Sequence, residues 1–376
     1  MEFSRPENAR KLNRLRVLSA LREHDDLTRA TLSTLLSLNK VSTGEIVSDL
    51  IGEGLVEEKG KIETKGGRPG TLLKLKNDSA VVLGCDVKTR SCSVAIFDLL
   101  ARPLRSEQFP LENINNAEEL RDQIVRVAAK MVKLSQKKVL GMMIAANAVL
   151  DGQKVTYTTL PLLENADFEK LFEGCPFPVS LVSALEAEAE AERFHISSSL
   201  EGTLLVNWGE HLSSALILKD RIITNNYFAH MPVTRSGICH CGGTGCLELI
   251  SSGYGLRKQS GEDISVREML KEEEKYRALL EKASLFLGKA LINALSSTGA
   301  RRILLTGGIS NLPGYYHELL RSLIEKEGGP FFSNVEITIS DYKEKGTLQG
   351  TGVLALDRFF FQRNLLVSLG LDLLET

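Results

Sequence analysis

Three of the six cysteines and two of the six histidines lie in a short glycine-rich stretch, residues 230–248. The stretch reads HMPVTRSGICHCGGTGCLE, and its cysteines follow a C-x-C-x4-C spacing. Thiolates and an imidazole that tight glycine turns bring together are what a tetrahedral Cys3His zinc site requires. Simple packing of buried cysteines in a loop does not require this spacing, so a metal site is the better interpretation. The predicted zinc ligands are His230, Cys239, Cys241 and Cys246.

His240 lies between two of these cysteines and is an alternative to His230 as the fourth ligand. The remaining cysteines, Cys85, Cys92 and Cys175, are scattered among apolar neighbours. In a reducing cytosol, such residues are buried thiols more often than disulfide partners. The spacing therefore predicts one zinc site, and we expect no disulfides.

Composition limits where the chain works and what it contacts. No run of about 18 apolar residues is present, and the polar start MEFSRPENARK lacks the apolar core of a signal peptide. We therefore expect a cytoplasmic protein that does not enter a membrane. Residues 1–76 carry 14 Lys and Arg against 11 Asp and Glu, net +3, whereas residues 77–376 carry 32 against 37, net −5. This asymmetry has the direction expected for a DNA-binding head on an acidic body.

The first 76 residues have the pattern of a winged helix-turn-helix. Leucines at helical spacing predict a first helix, and Thr28 is a suitable N-cap for a second. A turn near Leu38 and Asn39 leads to a third helix, and two short strands around a loop form a wing. The predicted elements are helices Asn8–Glu23, Thr28–Ser37 and Lys40–Gly52, and strands Val56–Glu58 and Leu72–Leu75.

Polar residues of this head are candidates for contact with DNA. Those of the third helix would face outward and meet base edges or phosphates. Arg68, held extended between glycines and a proline, could enter a narrow minor groove, or it could be one surface arginine on a flexible linker. The predicted DNA contacts are Arg29, Lys40, Ser42, Thr43, Ser48 and Arg68, with Glu45 also facing outward.

From Val81 onward, short apolar strands alternate with amphipathic helices, which indicates an α/β body. Two halves are predicted, residues 77–200 and residues 201–376, with a ligand crevice between them. The last predicted helix, Leu348–Phe361, could return to the N-terminal half. In the helix Glu186–Phe194, glutamates alternate with alanines, and we expect them to form a solvated surface.

The head ending in Gly-Arg-Pro and the body pattern H…G-x-C-x-C-G-x-x-G-C-x-E resemble the ROK family of repressors and sugar kinases. The resemblance covers nearly the whole chain, and the cysteine pattern is its most specific part. It implies an actin-like, hexokinase-like ATPase fold for the body and favours His230 over His240 as the zinc ligand. It also implies a homodimer or homotetramer that binds double-stranded operator DNA and responds to a sugar, a sugar phosphate or a partner protein.

Several positions depart from what the resemblance implies for the family's kinases. The kinase motif D-x-G-G-T falls on Asp86–Arg90 without its glycines, and a Pro-Gly pair falls on Asn147-Ala148. The catalytic Asn-Asp pair falls on Ser183-Ala184, and an alanine cannot act as a general base. The second phosphate loop falls on Gly209–Ser213, and a sugar-contacting glutamate falls on Tyr227. Side chains therefore stand where phosphate would lie.

Gly307-Gly308 on the adenosine side and His230 and Glu248 near the sugar site retain the residues that the resemblance implies. Loss of a general base alone costs on the order of 10²–10⁴ in rate. Phosphoryl transfer also depends on positioned charge around the phosphates. We therefore predict no kinase activity and no catalytic residues, and we predict His230 and Glu248 as ligand-binding residues.

Three hypotheses about function follow. The leading one is a DNA-binding transcriptional regulator, a repressor of carbohydrate uptake or metabolism genes, with a catalytically inactive kinase-like body that binds an effector and oligomerises. The alternative is an ATP-dependent hexose or amino sugar kinase with a rearranged site. The third is a regulator whose body binds a partner protein and no small molecule.

Overall fold

The computed structural model describes residues 6–24, 27–62, 70–196, 202–218, 221–225, 227–342 and 345–362. It contains two compact units. One comprises the residues up to Val182 together with those from Thr351 onward, and the other comprises Ser183–Gly350. None of the helices in the described ranges is long and apolar enough to cross a membrane.

The head consists of three helices and a two-stranded antiparallel wing, as the sequence predicts. The third helix has the predicted bounds, whereas the wing strands extend further into the loop than expected. Arg68 lies outside the described residues. The elements are α1 (Pro6–Glu23), α2 (Arg29–Leu35), α3 (Lys40–Gly52), β1 (Val56–Ile62) and β2 (Gly70–Leu75).

Side-chain caps fix the start of α2 and of α3. The Thr28 hydroxyl accepts a hydrogen bond from the N–H of Thr31, whose own hydroxyl accepts from the N–H of Thr28. The Asn39 side chain accepts from the N–H of Val41 at 2.8 Å. These caps satisfy N–H groups that have no partner within a helix. The inner faces then close over a small apolar core that includes Leu18, Leu32, Leu36, Ile46, Val47, Leu50, Val56 and Leu73.

The first unit is built on a five-stranded sheet in the order β5-β4-β3-β6-β9. The central strand β3 pairs antiparallel with β4 and parallel with β6. Every residue of β3 is buried, and helix α4 contributes to the apolar cluster that covers this sheet. The elements are β3 (Ala80–Val87), β4 (Ser91–Phe97), β5 (Pro103–Pro110), α4 (Ala117–Ser135), β6 (Lys138–Ala146), β7 (Ala148–Asp151), β8 (Lys154–Thr158), α5 (Phe168–Leu171) and β9 (Val179–Ser183).

The second unit repeats this plan, with a five-stranded sheet in the order β12-β11-β10-β13-β14. Its central strand β10 pairs antiparallel with β11 and parallel with β13. The long helix α10 and α11 cover one face. The elements are α6 (Ala184–Ile196), β10 (Thr203–Trp208), β11 (Leu212–Ile217), β12 (Ile222–Asn225), α7 (Glu248–Ser251), α8 (Gly253–Ser260), α9 (Val266–Met269), α10 (Glu273–Thr298), β13 (Arg302–Thr306), α11 (Gly314–Gly328) and β14 (Glu336–Ile339).

Two glutamates of α6 are buried, so the prediction of a solvated glutamate surface is wrong for them. Glu188 and Glu192 are 3% and 1% exposed. The Asn207 amide donates to Glu188 at 2.7 Å, and the Ser340 hydroxyl donates to Glu192. Residues four apart share one face of a helix, so this pair faces the core together while Glu186 stays exposed.

The last helix, α12 (Gly346–Leu356), continues into a π-helical turn, Asp357–Phe361. Its C-terminal part packs on the first sheet through close approaches. A Cβ built on Gly84 would overlap Thr351, and one built on Gly141 would overlap Phe359. Arg22 of α1 forms an ion pair with Asp357, and its guanidinium lies 4.5 Å from the centroid of the Phe361 ring. The head is therefore tied to the end of α12.

Candidate metal centre and nucleic-acid interface

The predicted cysteine stretch brings four ligand atoms together in the second unit. One atom from each of His230, Cys239, Cys241 and Cys246 lies within 4.8 Å of all the others. The sulfur atoms of Cys241 and Cys246 are 3.7 Å apart, and Cys239 Sγ is 3.7 Å from His230 Nδ1. A tetrahedral zinc with Zn–S bonds of about 2.3 Å needs sulfur atoms about 3.8 Å apart. The donor set and its dimensions therefore fit zinc.

Glycines and backbone hydrogen bonds hold this loop in shape. Gly245 has φ of +70°, and a Cβ there would overlap the carbonyl of Thr234. The N–H of Cys239 donates to the carbonyl of Gly243 at 2.8 Å, and the N–H of Gly242 donates back to the carbonyl of Cys239 at 2.9 Å. A positive φ and a close backbone approach are what only glycine tolerates without strain. The glycine-rich spacing in the sequence is thus a requirement of the loop.

The thiols of the cluster differ in how readily they ionise. Burial raises the pKa of Cys246 to about 12 and also raises the pKa of Cys239. Although burial opposes it, a hydrogen bond from the N–H of Gly243 lowers the pKa of Cys241. Three thiolates this close together repel one another, so a cation is what would hold them in the ionised form.

His240, the alternative ligand, is not among the four mutually close residues. Its Nδ1 lies 3.8 Å from Cys239 Sγ, but its ring also packs edge-on against His230 and Tyr254, with centroids 5.4 and 5.3 Å away. His240 therefore forms part of an aromatic wall beside the cluster.

Glu248, the predicted ligand-binding carboxylate, is 1% exposed and engaged by the chain itself. His211 Nδ1 lies 2.6 Å from one carboxylate oxygen, and the N–H of Leu212 donates to the other at 3.0 Å. His211 is the last residue of the turn between β10 and β11, and its contact with Glu248 was not predicted from the sequence. Tyr227, where the resemblance places another sugar contact, is 78% exposed.

Two hairpin turns carry charged side chains. They are the turns at which the resemblance places phosphate loops in the family's kinases. In the first unit, Lys88 Nζ lies 3.5 Å from the buried Asp86 carboxylate. In the second, Arg257 of α8 forms two hydrogen bonds with Glu210, and the N–H groups of Gly253 and Tyr254 donate to the carbonyls of residues 209 and 210. The start of α8 therefore contacts this chain's own backbone.

A cavity of about 750 Å³ remains in the second unit beside these residues. Glu210, Arg267, Gly308, Tyr342 and Lys345 are among its lining residues. Gly307, with φ of +84°, lets β13 turn close to the backbone of Trp208, where a Cβ would overlap. The retained Gly307-Gly308 pair thus has a packing role at this edge of the sheet.

On α3 of the head, Lys40, Ser42, Glu45 and Ser48 are exposed as predicted, but Thr43 is not. Thr43 is 0% exposed and donates its hydroxyl to the carbonyl of Asn39 at 3.0 Å, so the prediction that it contacts DNA is wrong. Its spacing from the buried Val47 and Leu50 already places it on the inner face of the helix. Val41, an apolar residue of the same helix, is 69% exposed.

Arginines of the head pair with acidic residues nearby. Arg10 and Arg14 of α1 form ion pairs with Asp49 and Glu53, at and just beyond the C-terminal end of α3. The predicted DNA contact Arg29 is half-exposed and lies 2.6 Å from Glu58 of the wing. These pairs fix α3 against α1 and the wing against α2.

A comparison with sequence profiles of protein families identifies the body. The profile of the ROK family matches residues 82–358, well over half of the chain. The chain belongs to the ROK family. The prediction of this family from the head and the cysteine pattern is confirmed.

Two relatives are named as a repressor and as a transcriptional regulator. The xylose repressor of Caldicellulosiruptor bescii is 23% identical over 260 residues, which cover 66% of this chain and 65% of that protein. The DNA-binding transcriptional dual regulator NagC of Escherichia coli (strain K12) is 22% identical over 371 residues, 90% of this chain and 91% of that protein.

Solved structures of ROK proteins share the fold. A ROK family transcriptional regulator, described as a homolog of the E. coli MLC protein, has a TM-score of 0.79 at 17% identity and covers 98% of this chain and 100% of that one. A ROK hexokinase from Thermus thermophilus has a TM-score of 0.63 at 18% identity and covers 74% of this chain and 98% of that one. The predicted α/β class, with a head on an actin-like, kinase-like body, is confirmed.

Proposed function

We propose that this ROK protein is a DNA-binding transcriptional regulator, a repressor of carbohydrate uptake or metabolism genes. The observation that carries the proposal is the winged helix-turn-helix of residues 6–75, in which a capped α3 presents an exposed face beside a two-stranded wing. This is the arrangement with which such heads enter the major groove. The names of two relatives, a xylose repressor and a DNA-binding transcriptional dual regulator, support the same function.

The body is proposed to be non-catalytic. Ser183-Ala184 at the end of β9 offers no carboxylate to take a proton from a sugar hydroxyl. In place of glycine loops, one hairpin turn carries Lys88, and the other carries Glu210, which forms an ion pair with Arg257. Phosphoryl transfer needs backbone N–H groups and cations around the phosphates. The negative charge of the Glu210 carboxylate instead repels a phosphate group.

A sugar kinase is the alternative function, and the cavity beside Gly308 is the observation that favours it. An assay of ADP release with a panel of hexoses and amino sugars distinguishes the two. We expect no turnover above background. Turnover that disappears in Glu248→Ala would establish the kinase instead.

We propose that His230, Cys239, Cys241 and Cys246 hold one structural zinc ion. The distances between their ligand atoms and the all-thiolate-and-imidazole donor set support this choice. When bound, the ion supplies a cross-link between the loop that follows β12 and the start of α7. The loop itself has almost no regular secondary structure, so the cross-link replaces the core that it lacks.

We propose that a sugar or sugar-phosphate effector binds at Glu248. His230, a proposed zinc ligand at the other end of the same stretch, is the second proposed contact. Because His211 and Leu212 occupy both carboxylate oxygens, an effector hydroxyl must displace the imidazole of His211. A thermal-shift screen tests this, since a ligand specific for the folded state raises its melting temperature. If no sugar raises it, the effector is a partner protein.

We propose a homodimer or homotetramer, because two heads on a palindromic operator require two-fold symmetry. A monomer at micromolar concentration in analytical ultracentrifugation would contradict this part of the proposal.

Operator binding is tested with the full chain and DNA from upstream of its own gene. Fluorescence anisotropy at a stated salt concentration should give a complex that unrelated DNA of equal length does not compete away. Lys40→Ala should weaken binding to all sequences, and Lys138→Ala, an exposed lysine of the body, serves as the matched control. Absence of a specific complex, with and without sugars, contradicts the proposed function.

A further inference from the structure

We propose, building on the function above, that Val41 and Glu45 are the base-reading residues of α3. Val41 contacts the C5 methyl group of a thymine, and Glu45 accepts a hydrogen bond from the N4 amino group of a cytosine. The operator half-site then contains a T·A pair and a C·G pair at a spacing that the helix fixes.

Elimination along α3 leaves four outward side chains, and these two residues are among them. The inner face of the helix is formed by Thr43, Ile46, Val47 and Leu50, which are at most 4% exposed. On the outer face, Asp49 is held by Arg10. The Ser48 hydroxyl donates to the carbonyl of Gly44 within the same helix, at 2.8 Å. The remaining outward side chains, in the first six residues of the helix, are Lys40, Val41, Ser42 and Glu45.

Val41 is an apolar residue in an unusual place. In the described part of the head it is the only large hydrophobic side chain classed as exposed, at 69%. The Asn39 cap fixes it at the second position of α3, where recognition helices meet base edges. The thymine methyl is the apolar group that the major groove offers. Contact between the Val41 side chain and the thymine methyl group removes both apolar surfaces from water.

Glu45 is a carboxylate on a surface that must approach phosphates. Its two neighbours at the C-terminal end of α3, Asp49 and Glu53, are neutralised by Arg10 and Arg14 of α1. Arg10 also interacts electrostatically with Glu45, which reduces the repulsion from the DNA backbone. The amino donors of the major groove are cytosine N4 and adenine N6, and a carboxylate favours cytosine because the N7 acceptor beside adenine N6 repels it.

The helix fixes the distance between the two contacts. Residues four apart lie on the same side of a helix with Cβ atoms about 5–6 Å apart. Base pairs in B-DNA are about 3.4 Å apart along the axis. The thymine and the cytosine should therefore lie one or two base-pair steps apart.

The experiment begins with selection of binding sites from a random double-stranded library by the full-length protein. Affinities for the selected site and its single-base variants are then measured at one salt concentration. Replacing the contacted thymine by uracil removes only the methyl group and should weaken wild-type binding about fourfold, which corresponds to one buried methyl. Val41→Ala should bind the thymine and uracil sites equally.

For Glu45, wild-type protein should prefer C·G at one position by about tenfold or more. Glu45→Gln can donate as well as accept, so it should reduce that preference to a few-fold. Thr34→Ala, an exposed residue of α2 whose hydroxyl donates to the carbonyl of Ala30 in its own helix, is the matched control and should change neither preference. Because all three side chains are exposed, unfolding midpoints should be unchanged.

The outcomes separate this inference from the function it rests on. Specific binding in which uracil has no effect at any thymine, or in which Glu45→Gln keeps the full C·G preference, overturns the inference and leaves the regulator function intact. A library from which the wild-type chain enriches no sequence overturns both.

Discussion

The two sheets of the body share one plan, but the plan is completed differently in each unit. Both have three antiparallel strands followed by two more in the same order. The first hairpin turn of each lies where a kinase of the same fold would cradle phosphate. The first unit fills that place with a lysine on a buried aspartate, and the second with a glutamate under an arginine. Duplication of a fold thus preserves strand order more strictly than the chemistry of its turns.

The connections that follow the third strand of each sheet, β5 and β12, differ even more between the two units. In the first unit, residues 111–116 connect β5 directly to α4. In the second, residues 226–247 connect β12 to α7 and contain the cysteine cluster. A long connection with little regular structure needs another source of stability. The proposed metal site would provide that in the second unit.

The largest effect is expected from Cys241→Ser, which tests the difference between the links. Loss of one thiolate should remove the metal and lower the melting temperature by roughly 5–10 °C, the range for a loss of about 2–3 kcal/mol in a cooperative unit of the size of Ser183–Gly350. Elemental analysis of the purified protein and a thermal scan measure both. Cys175→Ser, outside the cluster, should retain about one zinc per chain. Metal-free wild-type protein with unchanged stability would show that the link folds without a cross-link.

An effect of similar size and opposite sign is expected at the first turn, from Asp86→Asn. Burial raises the pKa of Asp86 from 3.8 to about 6, although Lys88 opposes the rise. Below pH 3.8 the carboxyl is protonated in both folded and unfolded chains, and its burial carries no ionisation penalty. As the pH rises through the folded value, the penalty grows to about 3 kcal/mol and then stays constant. The uncharged amide avoids this penalty.

The expected result is therefore pH-dependent. Asp86→Asn should exceed wild type in free energy of unfolding by about 1 kcal/mol at pH 4.5 and by up to about 3 kcal/mol at pH 7.5. Urea titrations at both values measure this, and any loss of metal at low pH affects both proteins equally. Asp151→Asn, an exposed residue of the same unit, should show no such trend. A constant difference across the two pH values would mean that the aspartate is ionised in the fold at its ordinary pKa.

Much of this architecture follows from local patterns in the sequence. The bounds of α3 and the Thr28 cap were predictable because a single polar cap and the helical spacing of apolar residues determine them. The cysteine cluster was predictable because metal geometry demands both its spacing and its glycines. The ROK family followed from the combination of these two.

Other features depend on packing that spacing alone does not specify. Glu188 and Glu192 are buried because Asn207 and Ser340, far away in sequence, offer them partners. The hairpin β7–β8 has too few residues for a period to be recognised. Thr43 is different, since its spacing from Val47 and Leu50 does predict burial. The prediction that Thr43 faces outward rested on the polarity of its side chain and not on its position in the helix.

The smallest effect is expected from His211→Ala in the second turn, and it tests whether that turn occupies its own ligand site. The imidazole gives up one hydrogen bond to Glu248, while the N–H of Leu212 keeps the other oxygen satisfied. The loss should be about 1 kcal/mol, because the partly exposed site admits water. His24→Ala, an exposed histidine of the head, should change stability less.

The same variant sharpens the comparison through ligand binding. With the imidazole removed, a sugar hydroxyl no longer competes for Glu248, so a hexose or amino sugar should raise the melting temperature of His211→Ala more than that of wild type. Glu248→Gln in the same background should abolish the rise, because the amide retains only one acceptor oxygen. If no sugar in the panel raises the melting temperature of His211→Ala, His211 does not occupy an effector site. The second turn, like the first, is then only a structural replacement for a phosphate loop.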